Sequence, residues 1–424
     1  MILWRPAAAA DTEGLQASDR QTQSLDVSVG IGETDNVKEV SAAAHSQTIA
    51  TAGADLALKT DGAVLKTDMT GDFNYLDYLE NAFKHQLLGR FDGTASVVLL
   101  PENFSWVVQE DYGSAQLDPF VALIPTNLED VNVVSTGPDF QLRFSRTLFL
   151  RLAARYALAH YEVSPLDGKT ALGRISLGRE LSAHSEFTVN ADFEQLRFDN
   201  TVVNTNYDRR RFYFGYQIQG ARTEITANLG DSQYNGARHW VSTPTAELHL
   251  VRALSTKAKL ALTAGRQYTD SSDSFPILHA GAAGGIVIAQ VAGTSATYLT
   301  NYGSASWSLQ YPRTKFEVSA RFERRTYAEV QASDLTYSDA ELHIERKLTP
   351  RLTFTILGSV DRNQYNNLGL TYENSRAAAG LVVQLQQRLD LGIRYEHVHR
   401  NDSQLTGEFT ENRGFVTLTY RPVG

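Results

Sequence analysis

The sequence contains no cysteine. That removes disulfide scaffolds, cysteine-ligated zinc, iron–sulfur clusters and cysteine nucleophiles together. It also lacks any continuous apolar run of membrane-helix length, which excludes a helical membrane protein. A β-barrel stays open, because only every second residue of a barrel strand must face lipid. Positive charge is in deficit: 39 Lys and Arg stand against 48 Asp and Glu, a formal net charge of −9. Such a balance argues against a nucleic-acid partner. No phosphate-cradling glycine loop and no GxSxG elbow is present, and no serine is convincingly matched with a histidine and a carboxylate. His397 and His399 have metal-compatible spacing on a strand but no third ligand in view. The chain is therefore expected to be no enzyme and to hold no cofactor or metal.

What the sequence does have is a repeat. TNYDRRRF at 205, TNYGSASW at 300, LTYSDAEL at 335 and LTYENSRA at 370 open alike, and Tyr302, Tyr337 and Tyr372 recur at equal spacing. Inside the repeat the apolar residues alternate with period two, which a helix cannot use. Phe316, Val318, Ala320 and Phe322 share one face, against Lys315, Glu317, Ser319, Arg321 and Glu323 on the other. Phe212, Phe214, Tyr216 and Ile218 oppose Tyr213, Gly215, Gln217 and Gln219 in the same way. Soluble sandwich strands average about 5–6 residues, whereas membrane-crossing strands need about 9–11. These segments reach the longer class. The expectation is an all-β, transmembrane, antiparallel up-and-down barrel of about 18–20 strands.

Connections alternate between tight and loose. Tight ones fall at Pro101-Glu102-Asn103, Ser145-Arg146, Ala183-His184, Pro312-Arg313-Thr314, Pro350-Arg351 and Gln387-Arg388. Several share a frame: RELSAHSEF at 179, RALSTKAKL at 252 and RKLTPRLTF at 346. Loose ones fall at 33–45, 119–130, 271–294 and 401–405. Bacterial outer-membrane barrels have short periplasmic turns and long extracellular loops, so the pattern puts both termini in the periplasm. Residues 1–22, with Ala8-Ala9-Ala10 before Asp11, read as a signal-peptide remnant and a disordered tail, and residues 23–424 as the barrel.

Turning the apolar face outward makes the lumen readable. Arg151, Arg155, Arg174, Asp192, Glu194, Arg209, Arg211, Glu317, Arg321, Glu323 and Arg325 face inward on this reading. So do Glu341, His343, Glu345, Asp390, Arg394 and Glu396. A charge facing lipid at mid-depth would cost about 2–4 kcal/mol. The set forms either an ion-pair ladder that stiffens the wall or a polar lining for a hydrated solute. Tyr207, Tyr234, Tyr268, Tyr302, Tyr337, Tyr365 and Tyr372 lie near the outer rim and are expected to form a lipid-facing aromatic girdle. The Gly- and Ala-rich stretch at 274–296 is the longest loop, either an inward-folded gate or an external loop.

Two segments carry more than generic barrel character: VSVGIGETDNV at 27–37 and LPENFSWVVQEDYGSAQLDPFVALIPTNLEDVNVVSTGPDFQLRF at 100–144. With the recurring TxY strand starts, the chain after about residue 22 resembles the outer-membrane β-barrel family associated with exosortase/PEP-CTERM systems and exopolysaccharide gene clusters. The resemblance implies residence in a Gram-negative outer membrane and a part in exopolysaccharide production or export. Polysaccharide or periplasmic export components would be partners, besides outer-membrane lipid. It supplies no catalytic residues. One departure concerns barrels generally: Tyr420 is followed by Arg421-Pro422-Val423-Gly424 where many barrels end in an aromatic residue. A general diffusion porin and a non-conducting structural barrel are the alternatives.

Overall fold

The computed structural model describes residues 20–41, 44–118, 120–236, 240–269, 297–327, 334–402 and 407–423. The chain is built from β1 (Arg20–Thr34), β2 (Gln47–Asp61), β3 (Leu65–Tyr78), β4 (Gln86–Leu100) and β5 (Phe104–Gln116). There follow β6 (Leu128–Arg143), β7 (Leu148–Tyr161), β8 (Gly168–Ser182), β9 (Ser185–Phe198) and β10 (Tyr207–Gln219). The second half holds β11 (Thr223–Asn235), β12 (Val241–Ala253), β13 (Ala258–Thr269), β14 (Tyr298–Tyr311) and β15 (Thr314–Tyr327). It ends with β16 (Leu335–Thr349), β17 (Leu352–Tyr365), β18 (Leu370–Gln386), β19 (Leu389–Asp402) and β20 (Phe409–Val423). One 3-10 turn, Pro125–Asn127, lies between β5 and β6.

Each strand pairs antiparallel with its sequence neighbours, and β1 also pairs with β20. The sheet is therefore a closed 20-stranded transmembrane barrel. Closure leaves no open sheet edge, which is the condition for strands in a bilayer. With strands about 4.8 Å apart and tilted about 40°, the backbone cylinder is roughly 40 Å across. A 14-residue strand at that tilt spans about 35 Å, more than the ~25 Å apolar band of such barrels.

The alternation behaves as the sequence dictates. Val27, Val29 and Ile31 of β1, Phe212, Phe214 and Tyr216 of β10, and Ile393 and Tyr395 of β19 are exposed on the outer face. Their strand neighbours Arg211, Tyr213 and Glu396 are sheltered inside. The connections at one end are short: 62–64, 101–103, 144–147, 183–184, 220–222, 254–257, 312–313, 350–351 and 387–388. Those at the other end are longer except for 366–369, and the start of β1 and the end of β20 lie at the short-turn end. The first strand begins at Arg20, a little before the expected boundary at residue 23. The proposed signal remnant before it lies outside the described residues, as does the 274–296 loop.

Candidate functional site

The inward charges form a wall of ion pairs. Period two and the antiparallel register put Arg174, Asp192 and Arg211 side by side on β8, β9 and β10. Arg174 donates to both oxygens of Asp192 at 2.7 and 2.8 Å, and Arg211 reaches the same carboxylate at 2.9 Å and Glu247 at 3.0 Å. Arg209 pairs with Glu194 one row above. Farther round, Glu323 is held between Arg321 and Arg325, the latter at 2.8 Å. Glu396 collects Arg376 at 2.7 Å with Arg394 and Arg413 at 3.0 Å. Arg421 bridges Asp26 and Asp390 across the β1–β20 closure. Arg151 pairs with Glu186 at 2.8 Å and Arg155 with Asp139 at 2.7 Å. The remaining members, Glu317, Glu341, His343 and Glu345, follow the inward register of β15 and β16, where Glu345 meets Lys315 at 3.4 Å. Asp139, Glu186, Glu247, Arg376, Arg413 and Arg421 belong to the same ladder and went unnamed in the sequence reading. Alternation with the exposed apolar residues of their own strands would have found them.

One stretch of wall has a different character. Asp26, Asp55 and Asp72 stand in one row across β1, β2 and β3, next to Arg90 on β4, and Asp92 faces Asp111 between β4 and β5. This acidic sector contrasts with the arginine-rich sectors around it. Between them, Gly137 and Pro138 interrupt the β6–β7 ladder, because proline has no N–H to donate. Arg155 repairs the gap: its guanidinium donates to the carbonyls of Pro138 and Ala154 at 3.2 and 2.8 Å while pairing with Asp139.

The expected aromatic girdle is not there. Tyr207, Tyr234, Tyr365 and Tyr372 are buried and face the barrel interior. Tyr302 and Tyr337 share the inward register of Glu323, and the Tyr302 ring occupies the space where a Cβ on Gly265 would sit. Tyr268 also packs inside, its ring centroid 5.8 Å from that of Tyr234. The β12–β13 register stops at Ala246 and Arg266, and Arg209 reaches the Tyr268 carbonyl at 2.7 Å, so the upper part of β13 turns inward. The physical reason is parity: Tyr207 lies two residues before Arg209, so it must share that face. These rings form an internal collar with Tyr298 and Tyr327, whose centroids are 4.9 Å apart, and with apolar Val131, Val133 and Leu196. The outer face instead exposes Tyr75, Trp106, Tyr156, Trp240, Tyr311 and Tyr420.

Against this collar lies the β5–β6 connection at 117–127, which the sequence marked as loose at 119–130 without showing where it folds. Asn127 builds it from within, donating to the carbonyls of Asp118, Val121 and Ala122 at 2.8, 3.2 and 3.0 Å and accepting from the Asp118 N–H at 2.8 Å. Gln116 adds a bond to the Val121 carbonyl at 2.8 Å. The loop then reaches strands that are far away around the wall. Arg400 of β19, 2% exposed, donates to the carbonyls of Phe120 and Val121, both at 3.3 Å. Its guanidinium lies 4.3 Å over the Tyr372 ring, and Phe120 packs on Tyr365 of β17 at 4.6 Å. Only a loop folded across the mouth can touch both β17 and β19 from between β5 and β6.

The third anchor is Glu39, in the loop between β1 and β2, which accepts the Leu123 N–H at 3.1 Å. Asn36 holds that loop to β20 through the Thr410 carbonyl at 2.9 Å. Burial, reinforced by the neighbouring Glu411 carboxylate, pushes the Glu39 carboxyl up to about 7, against the pull of Arg413, the Leu123 amide and Arg400. Among the described residues no group of three or more His, Asp or Glu side chains is placed to hold a metal. His397 and His399 bond to Asn412 and Thr410 at 2.8 and 3.1 Å.

Residues 294–422 match the family model described as putative beta-barrel porin 2. No curated protein gives a significant sequence match. Among solved structures, a ferric enterobactin receptor from Pseudomonas aeruginosa is similar at 10% identity and TM-score 0.47, over 96% of this chain and 81% of that one. The siderophore receptor PirA from Acinetobacter baumannii is similar at 8% identity and TM-score 0.48, over 94% and 80%. Pseudomonas aeruginosa OccK1 is similar at 8% identity and TM-score 0.39, over 94% and 98%. The ligands named for the receptors are theirs. The segment matched by the family model ends within β20 and covers less than half of the chain.

Proposed function

We propose that this protein is a channel of the Gram-negative outer membrane that takes part in exopolysaccharide export, with its outer mouth narrowed by the 117–127 loop. The observation that carries the channel is that loop, pinned at Arg400, Tyr365 and Glu39 across a barrel whose wall is lined with ion pairs. A constriction of this kind has a purpose where something passes. The polysaccharide comes from the sequence resemblance. It is chemically compatible with the wall, because guanidinium forks bond sugar hydroxyls as well as carboxylates. The protein acts as a conduit and carries out no chemistry of its own. Long loops face outward from the cell and the short turns face the periplasm.

The test has two arms. Deleting the gene is expected to leave polymer inside the cell, and neutralising Arg209, Arg211 and Arg321 to impair export; normal secretion in both ends the polysaccharide assignment. Conductance of the purified barrel in planar bilayers tests the channel itself. A wide pore that passes unrelated small solutes would favour a general diffusion porin, the reading the porin family match supports. Absence of conductance under every condition would favour a structural barrel, to which the buried tyrosine collar is suited.

A further inference from the structure

Seven consecutive connections at the short-turn end carry one basic residue each. They are Arg146, His184, Arg222, Lys257, Arg313, Arg351 and Arg388, all exposed. None of these turns contains an acid, and none of the seven side chains forms an ion pair with another described residue. The two turns before them, 62–64 and 101–103, contain no cation. At the opposite end acids predominate among the described loop residues, including Asp35, Glu80, Glu162, Asp199 and Asp334. The basic arc is thus confined to one end and to the wall from β6 to β19. Successive short turns are two strands apart, about 12–13 Å along the rim.

What lies beside the cations selects the partner. Large apolar side chains are exposed two or three residues away: Phe144 beside Arg146, Leu254 beside Lys257, Tyr311 beside Arg313, Leu348 beside Arg351 and Leu385 beside Arg388. At about 3.3 Å per residue, a cation sits within roughly 10 Å of an apolar group bound for acyl chains. A soluble acidic protein or a free polyanion would satisfy the charges and leave the apolar rim unexplained. We propose that this arc is a binding surface for anionic phospholipid, with the turn cations on headgroup phosphates and the flanking side chains in the acyl layer of the leaflet at the short-turn end. Juxtamembrane cations are attracted to anionic leaflets in this way, and salt weakens the attraction. The inference needs only a membrane-embedded barrel, so it stands or falls apart from the export reading.

The test uses the full chain refolded into nanodiscs of phosphatidylcholine with a minor fraction of phosphatidylglycerol. Retained lipid is read by native mass spectrometry. The unmodified protein is expected to enrich phosphatidylglycerol at least tenfold over its bulk fraction, less at high salt. The variant combining Arg146→Gln, Arg222→Gln, Lys257→Gln, Arg313→Gln, Arg351→Gln and Arg388→Gln is expected to lose that enrichment. Exchanging each Arg for Lys and Lys257→Arg is expected to keep it. Should the sixfold variant not refold, its two threefold halves take its place, each losing a substantial part. Equal enrichment in the neutralised and unmodified proteins overturns the proposal. So does tighter binding of a soluble polyanion such as polyglutamate to the detergent-solubilised barrel than of phosphatidylglycerol, since it would reassign the arc to a soluble partner.

Discussion

Replacing Arg400 by alanine should release the 117–127 loop from the far wall. The guanidinium makes two bonds to loop carbonyls at 3.3 Å and lies 4.3 Å over Tyr372. Bonds of that length to a charged donor are at the weak end of their class, about 1 kcal/mol each. The desolvated ring contact adds about 1 kcal/mol. Water can satisfy the freed carbonyls at the mouth, so the net loss is roughly 2–3 kcal/mol, or a 30- to 150-fold shift toward the undocked loop. The Phe120–Tyr365 stack and the Glu39 bond remain, which makes release partial. Two readouts test this. Amide hydrogen exchange at Leu123 should accelerate by at least tenfold, and single-channel records should gain a larger conductance level or longer dwell in it. Arg400→Lys keeps the charge without the planar fork and should recover less than half of the lost docking energy. Unchanged exchange and conductance in the alanine variant would mean that the contact does not position the loop.

Three further outcomes follow from other residues. Glu39 is held protonated up to about pH 7 in the docked loop and returns toward its ordinary value of 4.5 when released. The docked state therefore binds more protons between pH 4.5 and 7, and docking weakens as pH rises through that window. The full shift corresponds to about 3 kcal/mol, and partial exposure reduces it to roughly 1–2. Conductance should rise between pH 5 and 8, and Glu39→Gln should flatten the profile. Asp192→Asn removes the carboxylate charge that Arg174 and Arg211 share. It should lower stability by about 3 kcal/mol in urea unfolding and move the reversal potential toward anion preference. Arg155→Met removes the donor that serves the Pro138 and Ala154 carbonyls as well as the Asp139 pair. A loss of about 3 kcal/mol is expected, seen as a lower temperature for loss of the compact electrophoretic form; a loss under 1 kcal/mol would show that the β6–β7 gap needs no repair.

The tyrosine motif shows how a signal can be present and misread. Height along the strand suggested a lipid-facing girdle, because tyrosines favour membrane interfaces. Parity says otherwise: Tyr207, Arg209 and Arg211 alternate on one face, as do Asp361, Asn363 and Tyr365. The period-two constraint is steric and holds wherever the ladder is regular, as it does at every one of these tyrosines but Tyr268, where β13 leaves β12, whereas interfacial preference is a weak energetic bias. Parity also places Arg400, six residues after Arg394, on the inner face.

Alternating hydropathy, turn chemistry and unequal connection lengths thus determined an antiparallel barrel and bounded its strand number at about 18–20; closure on 20 strands came from the structure. Those three are local rules, each reaching no farther than a strand and its neighbour. Only the closed tertiary structure decided which loop crosses the mouth. Arg400 and Phe120 are 280 positions apart in the chain, and no pairing register connects them. Their meeting depends on the curvature of the whole wall and on the internal scaffold built by Asn127. That Arg155 would serve the Pro138 and Ala154 carbonyls likewise depended on the side chain folding back against its own strand. Long-range geometry of this kind is set by closure, which no window of sequence contains.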